Sequence, residues 1–310
     1  MSWLFGAEPE VSRECPATVE MTIVPRTVDI GNFEVHRALP FKTKRMVGPF
    51  IFWDQMGPGK FLQGQGVDVR PHPHIGLSTV TYLFDGSLDH KDSLGSDQRI
   101  VPGDVNLMNA GAGIVHSERT GMDVRHSPSK LFGIQSWLAQ PKNLENSGPD
   151  FRHVAAADIP SFKADGIVGR LILGEFQGYT SPVPTQWETL YAVLNLEKGA
   201  RIDIPIKVEE RALYLAGGRI KVDGKEYSNR QMVVFRPGCE IIVEALNEVH
   251  MMLLGGAAMD GLRYIWWNFV SSSVDQIKNA ADEWKSGKFA SVPGDEKEFI
   301  PLPELPFPKE

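Results

Sequence analysis

The chain has 310 residues and a formal net charge of −7, with 32 Lys and Arg against 39 Asp and Glu. That balance argues against a general phosphate-backbone binder, whose non-specific affinity needs clustered cations, so no direct nucleic-acid partner is expected. No stretch approaches the ~20 apolar residues of a membrane helix, the two cysteines, Cys15 and Cys239, are too few for a disulfide framework, and 42% hydrophobic with 23% charged residues is ordinary for a globular chain of about two domains.

Residues 1–21 show weak periodicity and read as an N-terminal arm. Met1-Ser-Trp-Leu-Phe-Gly lacks a basic region and a long apolar run, so it does not read as a signal peptide, and a cytoplasmic location is expected. From Thr22 the texture becomes short apolar runs between turns. Strands are predicted at Thr27–Ile30, Val35–Ala38, Phe50–Trp53, Ser78–Leu83, Ile100–Val101, Val105–Met108 and Leu131–Leu138. Turn signals separate them: Asp54-Gln-Met-Gly-Pro-Gly, Asp85-Gly86, Gly95-Ser-Asp97, Pro102-Gly103-Asp104 and Gly111-Ala-Gly113. Hairpins without intervening helices imply a sandwich or barrel over residues 22–140.

Residues 141–166, beginning Pro141-Lys-Asn-Leu-Glu-Asn-Ser-Gly-Pro149, read as a linker. A second strand-rich block of similar layout follows over 167–270. The segment 271–310 holds the clearest helix, in which Val274, Ile277, Ala281 and Trp284 form one apolar stripe, and then a proline-rich tail. Gly287 is placed to end that helix.

Chemistry concentrates in two short clusters. His72 and His74 alternate in Pro71-His-Pro-His74, and His116 and Glu118 alternate in His116-Ser-Glu118. Residues i and i+2 of a strand share a face, so each pair can aim at one point. If the two strands face each other, three imidazoles and one carboxylate enclose a site for one divalent metal. Such a donor set suits Fe(II), Mn, Ni, Cu or Zn better than Mg or Ca. On an octahedral ion, four protein ligands leave two positions open. His36, His90, His126, His153 and His250 show no such pairing and are expected to be structural or surface residues.

The same residues carry a family resemblance. Gly66, His72-Pro-His74 and Gly86 resemble the first cupin motif, except that Ser78 and Thr79 stand where an acidic ligand usually follows. The stretch from Pro102 to Glu118 resembles the second motif, with a glutamate added after its histidine. This rearrangement is similar to the pirin family, also over Val47-Gly-Pro-Phe, Thr79-Val-Thr-Tyr-Leu and Asp92-Ser93. The resemblance implies an all-β bicupin: two cupin barrels face to face with a short C-terminal helix. It implies one mononuclear metal, usually Fe(II), in the first barrel only, held by His72, His74, His116 and Glu118. The second block has no alternating histidine pair, and His250 stands alone there.

Glu118 is the only member of the set with proton affinity to spare, so it is the candidate general base toward an acidic enol or phenol. Several pirins resemble quercetin 2,3-dioxygenases, which open a flavonol with O₂ and release carbon monoxide, and that activity is the leading expectation. The alternative is an iron-dependent, redox-sensing co-regulator that binds a protein partner without turnover. Phe50, Phe52, Trp53, Met56 and Met108 are candidate walls for a flat aromatic ligand.

Overall fold

Leu77–Asp85 is buried at seven consecutive positions, which in a strand requires cover on both faces. The computed structural model of the protein, which describes residues 10–12, 18–30 and 33–308, supplies that cover by stacking two antiparallel barrels. In the first, a seven-stranded sheet runs in the order 150–154, 105–109, 77–85, 129–139, 50–61, 34–39, 26–29, and a four-stranded sheet in the order 68–74, 114–119, 88–92, 97–100. In the second, an eight-stranded sheet runs 10–12, 19–24, 232–235, 210–217, 249–256, 189–196, 167–173, 161–164, and a four-stranded sheet 201–204, 241–245, 219–222, 225–228.

The two large sheets pack against each other. Alternation sorts their side chains: Val80, Tyr82, Ile134, Tyr191, Val193, Tyr214 and Met252 share one core between the barrels. Leu194, Leu213, Leu215, Met251 and Leu253 fill the second barrel. Trp53 sits edge-on to Tyr191 with ring centroids 5.5 Å apart, and Tyr214 donates from its hydroxyl to Gln55 Oε1 at 2.9 Å. The side chains of the large sheet that point the other way, into the first barrel, include Thr81, Gln135 and Trp137.

The helix forms at Val274–Lys285, with Val274, Ile277 and Ala281 buried as its stripe requires, and Gly287 follows it with φ +70°. It packs on Trp266, Trp267 and Phe269 of a small hairpin, Tyr264–Trp266 with Phe269–Ser271, that bridges to the first barrel at Ile75. No helix among the described residues is long and apolar enough to cross a membrane. Cys239 is a free thiol; Cys15 lies outside the described residues.

Strand pairing departs from the expected division of the chain in three places. Val19–Val24 is not arm followed by first barrel: it pairs with Met232–Phe235 in the second barrel's sheet, because its buried positions Val19, Thr22 and Ile23 find apolar cover there. The expected linker, 141–166, contains Asp150–Val154, which completes the first barrel beside Val105–Asn109, and Ser161–Ala164, which begins the second. The expected turn at Asp54-Gln-Met-Gly-Pro-Gly lies inside one long strand, Phe50–Phe61. There the glycine and proline mark an irregularity opposite Leu131–Gly133, with Gly57 at φ +71°, and the strand bends through it.

Candidate metal centre

His72 and His74 lie on Asp68–His74, an edge strand of the smaller sheet of the first barrel. An edge tolerates the missing N–H groups of Pro71 and Pro73. The strand pairs antiparallel with Ile114–Arg119 so that His72 stands opposite His116. Both histidines of the first pair and His116 therefore face the barrel interior, and their ligand atoms lie within 4.8 Å of one another. It is the one group of three or more such side chains this close among the described residues.

Each ring has its Nδ1 engaged. His72 Nδ1 donates to the Arg70 carbonyl at 2.8 Å and His74 Nδ1 to the Asn268 carbonyl at 3.0 Å. A carbonyl only accepts, so in these neutral rings Nε2 carries a lone pair. His116 Nδ1 is 3.4 Å from His90 Nδ1. The Nε2 atoms of His74 and His116 face each other at 3.1 Å. Two ligands about 2.1 Å from one ion, at right angles, would stand about 3 Å apart. The donor set and its spacing fit a mononuclear metal.

Burial keeps the cluster neutral. It pushes His72 down to about 3 and holds His74 and His116 well below the ordinary imidazole value. Neutral imidazole is the ligating form. Glu118 lines the same cavity as His72 and His74, but its carboxylate stands outside the close group of three. Gln135 Nε2 donates to it at 3.2 and 3.3 Å and Thr81 Oγ1 at 3.4 Å. Burial raises its proton affinity, and the neighbouring His90, Thr81 and Gln135 only partly offset this.

The cavity itself measures about 40 Å³. Of the expected apolar walls, Phe52 and Met56 line it, whereas Phe50 and Trp53 are in the inter-barrel core and Met108 shares a cluster with Phe52 and Trp137 without lining the cavity. Trp137, missed in the sequence, stacks on Phe52 with centroids 3.9 Å apart and meets His74 edge-on at 5.1 Å. Beneath Phe52, Arg37 and Asp54 form a buried two-point ion pair at 2.7 and 2.8 Å. A larger hollow of about 720 Å³, walled by Phe33, Lys60, Arg125 and Arg230, has none of the three histidines in its lining.

His90 was expected to be structural or superficial; it is buried and touches His116. The available signal was alternation again, in His90-Lys-Asp92, on a strand whose register sets His90 opposite Glu118. His36 faces Thr27, His153 bonds Asn106, His126 is exposed, and His250 packs against Phe84 in the second barrel's sheet.

Two stacked antiparallel barrels, with one buried three-histidine centre in the first, define a two-domain cupin protein. Comparison with known proteins narrows this. The Pirin family profile matches residues 32–138, and the Pirin C-terminal cupin domain matches residues 191–290. A pirin-like protein of Caulobacter vibrioides is 46% identical over 289 residues, covering 92% of this chain and all of that protein. Pirin of Rattus norvegicus is 32% identical over 279 residues, covering 87% of this chain and 92% of the relative. The crystal structure of a quercetin 2,3-dioxygenase from Acinetobacter baumannii superimposes with a TM-score of 0.87 at 34% identity, covering 94% of this chain and 97% of that one. The chain belongs to the pirin family.

Proposed function

We propose that this protein is a mononuclear metal-dependent dioxygenase that opens flavonols such as quercetin with O₂, with Fe(II) as its metal and with His72, His74, His116 and Glu118 as its ligands. The observation that carries the reading is the convergence of three buried imidazoles beside a carboxylate of raised proton affinity. The 34%-identical protein named quercetin 2,3-dioxygenase supports the substrate class.

Held by His72, His74, His116 and Glu118, the metal would supply Lewis-acid and redox chemistry toward the substrate and O₂. Glu118 then takes the proton of the substrate enol at a carboxylate oxygen. Gln135 and Thr81 orient that carboxylate, and Gln135, as a neutral donor, does not compete for the proton. Phe52 and Trp137 offer a flat apolar wall against which an aromatic ring can lie, and they keep water from the reacting atoms.

One observation favours a second reading. A cavity of about 40 Å³ holds about three waters, far below the ~300 Å³ or more of a drug-sized pocket. A flavonol enters only when apolar wall side chains such as Met56 move aside. A metal-dependent module that binds a protein partner, without turnover, needs no such opening.

Anaerobic loading with Fe(II), followed by quercetin and O₂, decides between them. Loss of flavonol absorbance that requires both iron and His116, tested with His116→Ala, is the expected result. Iron bound at one equivalent with no loss of absorbance would reject the flavonol reading in favour of the second. The ligand assignment is checked separately: His74→Ala should sharply lower metal occupancy by elemental analysis.

A further inference from the structure

Behind His116, on its Nδ1 side, lies a chain of two buried side chains that the proposed reaction does not use. Asp92 is fully buried, and all its contacts are donors: Oδ1 accepts from the amides of Leu94 at 2.9 Å and Ser96 at 3.0 Å, and Oδ2 accepts from His90 Nε2 at 3.1 Å. Burial works to raise the carboxyl, but the bonds from His90 and Ser96 hold it below its usual range, as an acceptor. Asp92 Oδ2 only accepts, so Nε2 of His90 carries a proton, and Nδ1 is the nitrogen of this ring that can offer a lone pair. That lone pair faces His116 Nδ1 at 3.4 Å. The His90 ring also lies flat on Phe151, with centroids 4.4 Å apart and planes 12° off parallel, which fixes its orientation.

We infer that His90, held by Asp92, is a positioning residue that accepts the Nδ1 proton of His116 once a metal takes its Nε2, which in the metal-free protein faces His74 Nε2 at 3.1 Å. His72 and His74 reach the same state through backbone carbonyls, which can only accept. His116 has no carbonyl there. Its tautomer depends on a side chain whose own tautomer depends on a carboxylate. The inference rests on the three-histidine centre binding a metal.

Asp92→Asn is the sharpest test. The Asn carbonyl can keep the Leu94 and Ser96 bonds, but its amide then points a donor at His90 Nε2. His90 must shift its proton to Nδ1, and His116 in turn to Nε2, where it blocks the metal. Affinity for Co(II), read by competition with a chelator, should fall about 10- to 100-fold. Nitrogen NMR shifts of the Zn(II)-loaded unaltered protein should show His116 carrying its proton on Nδ1. His90→Gln, whose carbonyl restores an acceptor, should bind Co(II) nearly as well as the unaltered protein.

Should Asp92→Asn fail to fold, His90→Leu leaves the Asp92 turn intact, removes the acceptor and carries the same expected weakening. Unchanged Co(II) affinity in a folded Asp92→Asn or His90→Leu protein, or a His116 without a proton on Nδ1 in the Zn(II)-loaded unaltered protein, overturns this inference alone. Failure of the unaltered protein to bind Co(II) overturns the metal reading and this inference with it.

Discussion

Gln135 reaches both carboxylate oxygens of Glu118, at 3.2 and 3.3 Å, from the sheet opposite the metal-facing strands. The amide is a neutral clamp on the proposed base. Gln135→Leu should leave metal occupancy nearly unchanged and lower kcat/KM toward a flavonol by at least about 10-fold, since a positioned acid–base group contributes roughly 10²–10⁴-fold. Elemental analysis with steady-state kinetics reads both. A kcat/KM equal to that of the unaltered protein would remove Gln135 from the mechanism.

The buried histidines set an acid limit on the metal-free protein. His72 is pushed down to about 3, and His74 and His116 lie well below 6.5, all chiefly through burial. The unfolded chain therefore binds more protons than the native one below about pH 6.5, and stability falls as pH drops from there toward 3. Each fully shifted imidazole costs up to about 1.4 kcal/mol per pH unit within that window. Glu118, with a raised proton affinity, works in the opposite direction, but it is one group against three. Thermal melts in chelator should show Tm dropping steadily from pH 7 to pH 4. A flat profile would contradict the burial of the cluster.

Arg37 and Asp54 are nearly inaccessible to solvent, and the Arg37 guanidinium lies 4.4 Å over the Phe52 ring. Asp54→Ala takes the carboxylate away from a buried cation and should destabilise the protein by about 3–5 kcal/mol. The double change Arg37→Met with Asp54→Leu should recover most of that loss in denaturant titrations. If the double variant is as unstable as the single one, the pair's value lies in its shape rather than its charge.

Gly76, two residues beyond His74, has φ +65°, and a Cβ there would meet the Val270 carbonyl oxygen at 2.0 Å. The segment it would push away includes Asn268, whose carbonyl holds His74 Nδ1. Gly76→Ala should therefore lower both Tm and Co(II) affinity. A loss of Tm with affinity intact would separate the C-terminal hairpin from the metal cup.

Legibility in the sequence followed the range of the interactions. His72 and His74 were readable because a strand repeats every two residues, and the same rule linked His116 to Glu118. Barrel architecture followed from hairpins with no helices between them. Gln135 and Trp137 stayed hidden inside an apolar run, since only the pairing of Ser129–Ala139 with its neighbours says which of its residues face the cavity. His90 and Asp92 alternate as clearly as the ligands do, yet their meaning depends on register with a strand about 25 residues away. Val19–Val24 was divided between the arm and the first barrel because its partner, Met232–Phe235, lies far along the chain.

That last pairing makes the first barrel an insertion within the second. Val19–Val24 is synthesised about 200 residues before Met232–Phe235, its partner in the large sheet. Until then Val19–Val24 has only Glu10–Ser12 to pair with, and a chain interrupted after the metal barrel would leave its other edge open. Conversely, the second half expressed alone would present Met232-Val-Val-Phe235 as a bare apolar edge, open to pairing with another molecule. The metal barrel can thus be built early, but the molecule closes only when its last large sheet reaches back to Val19–Val24.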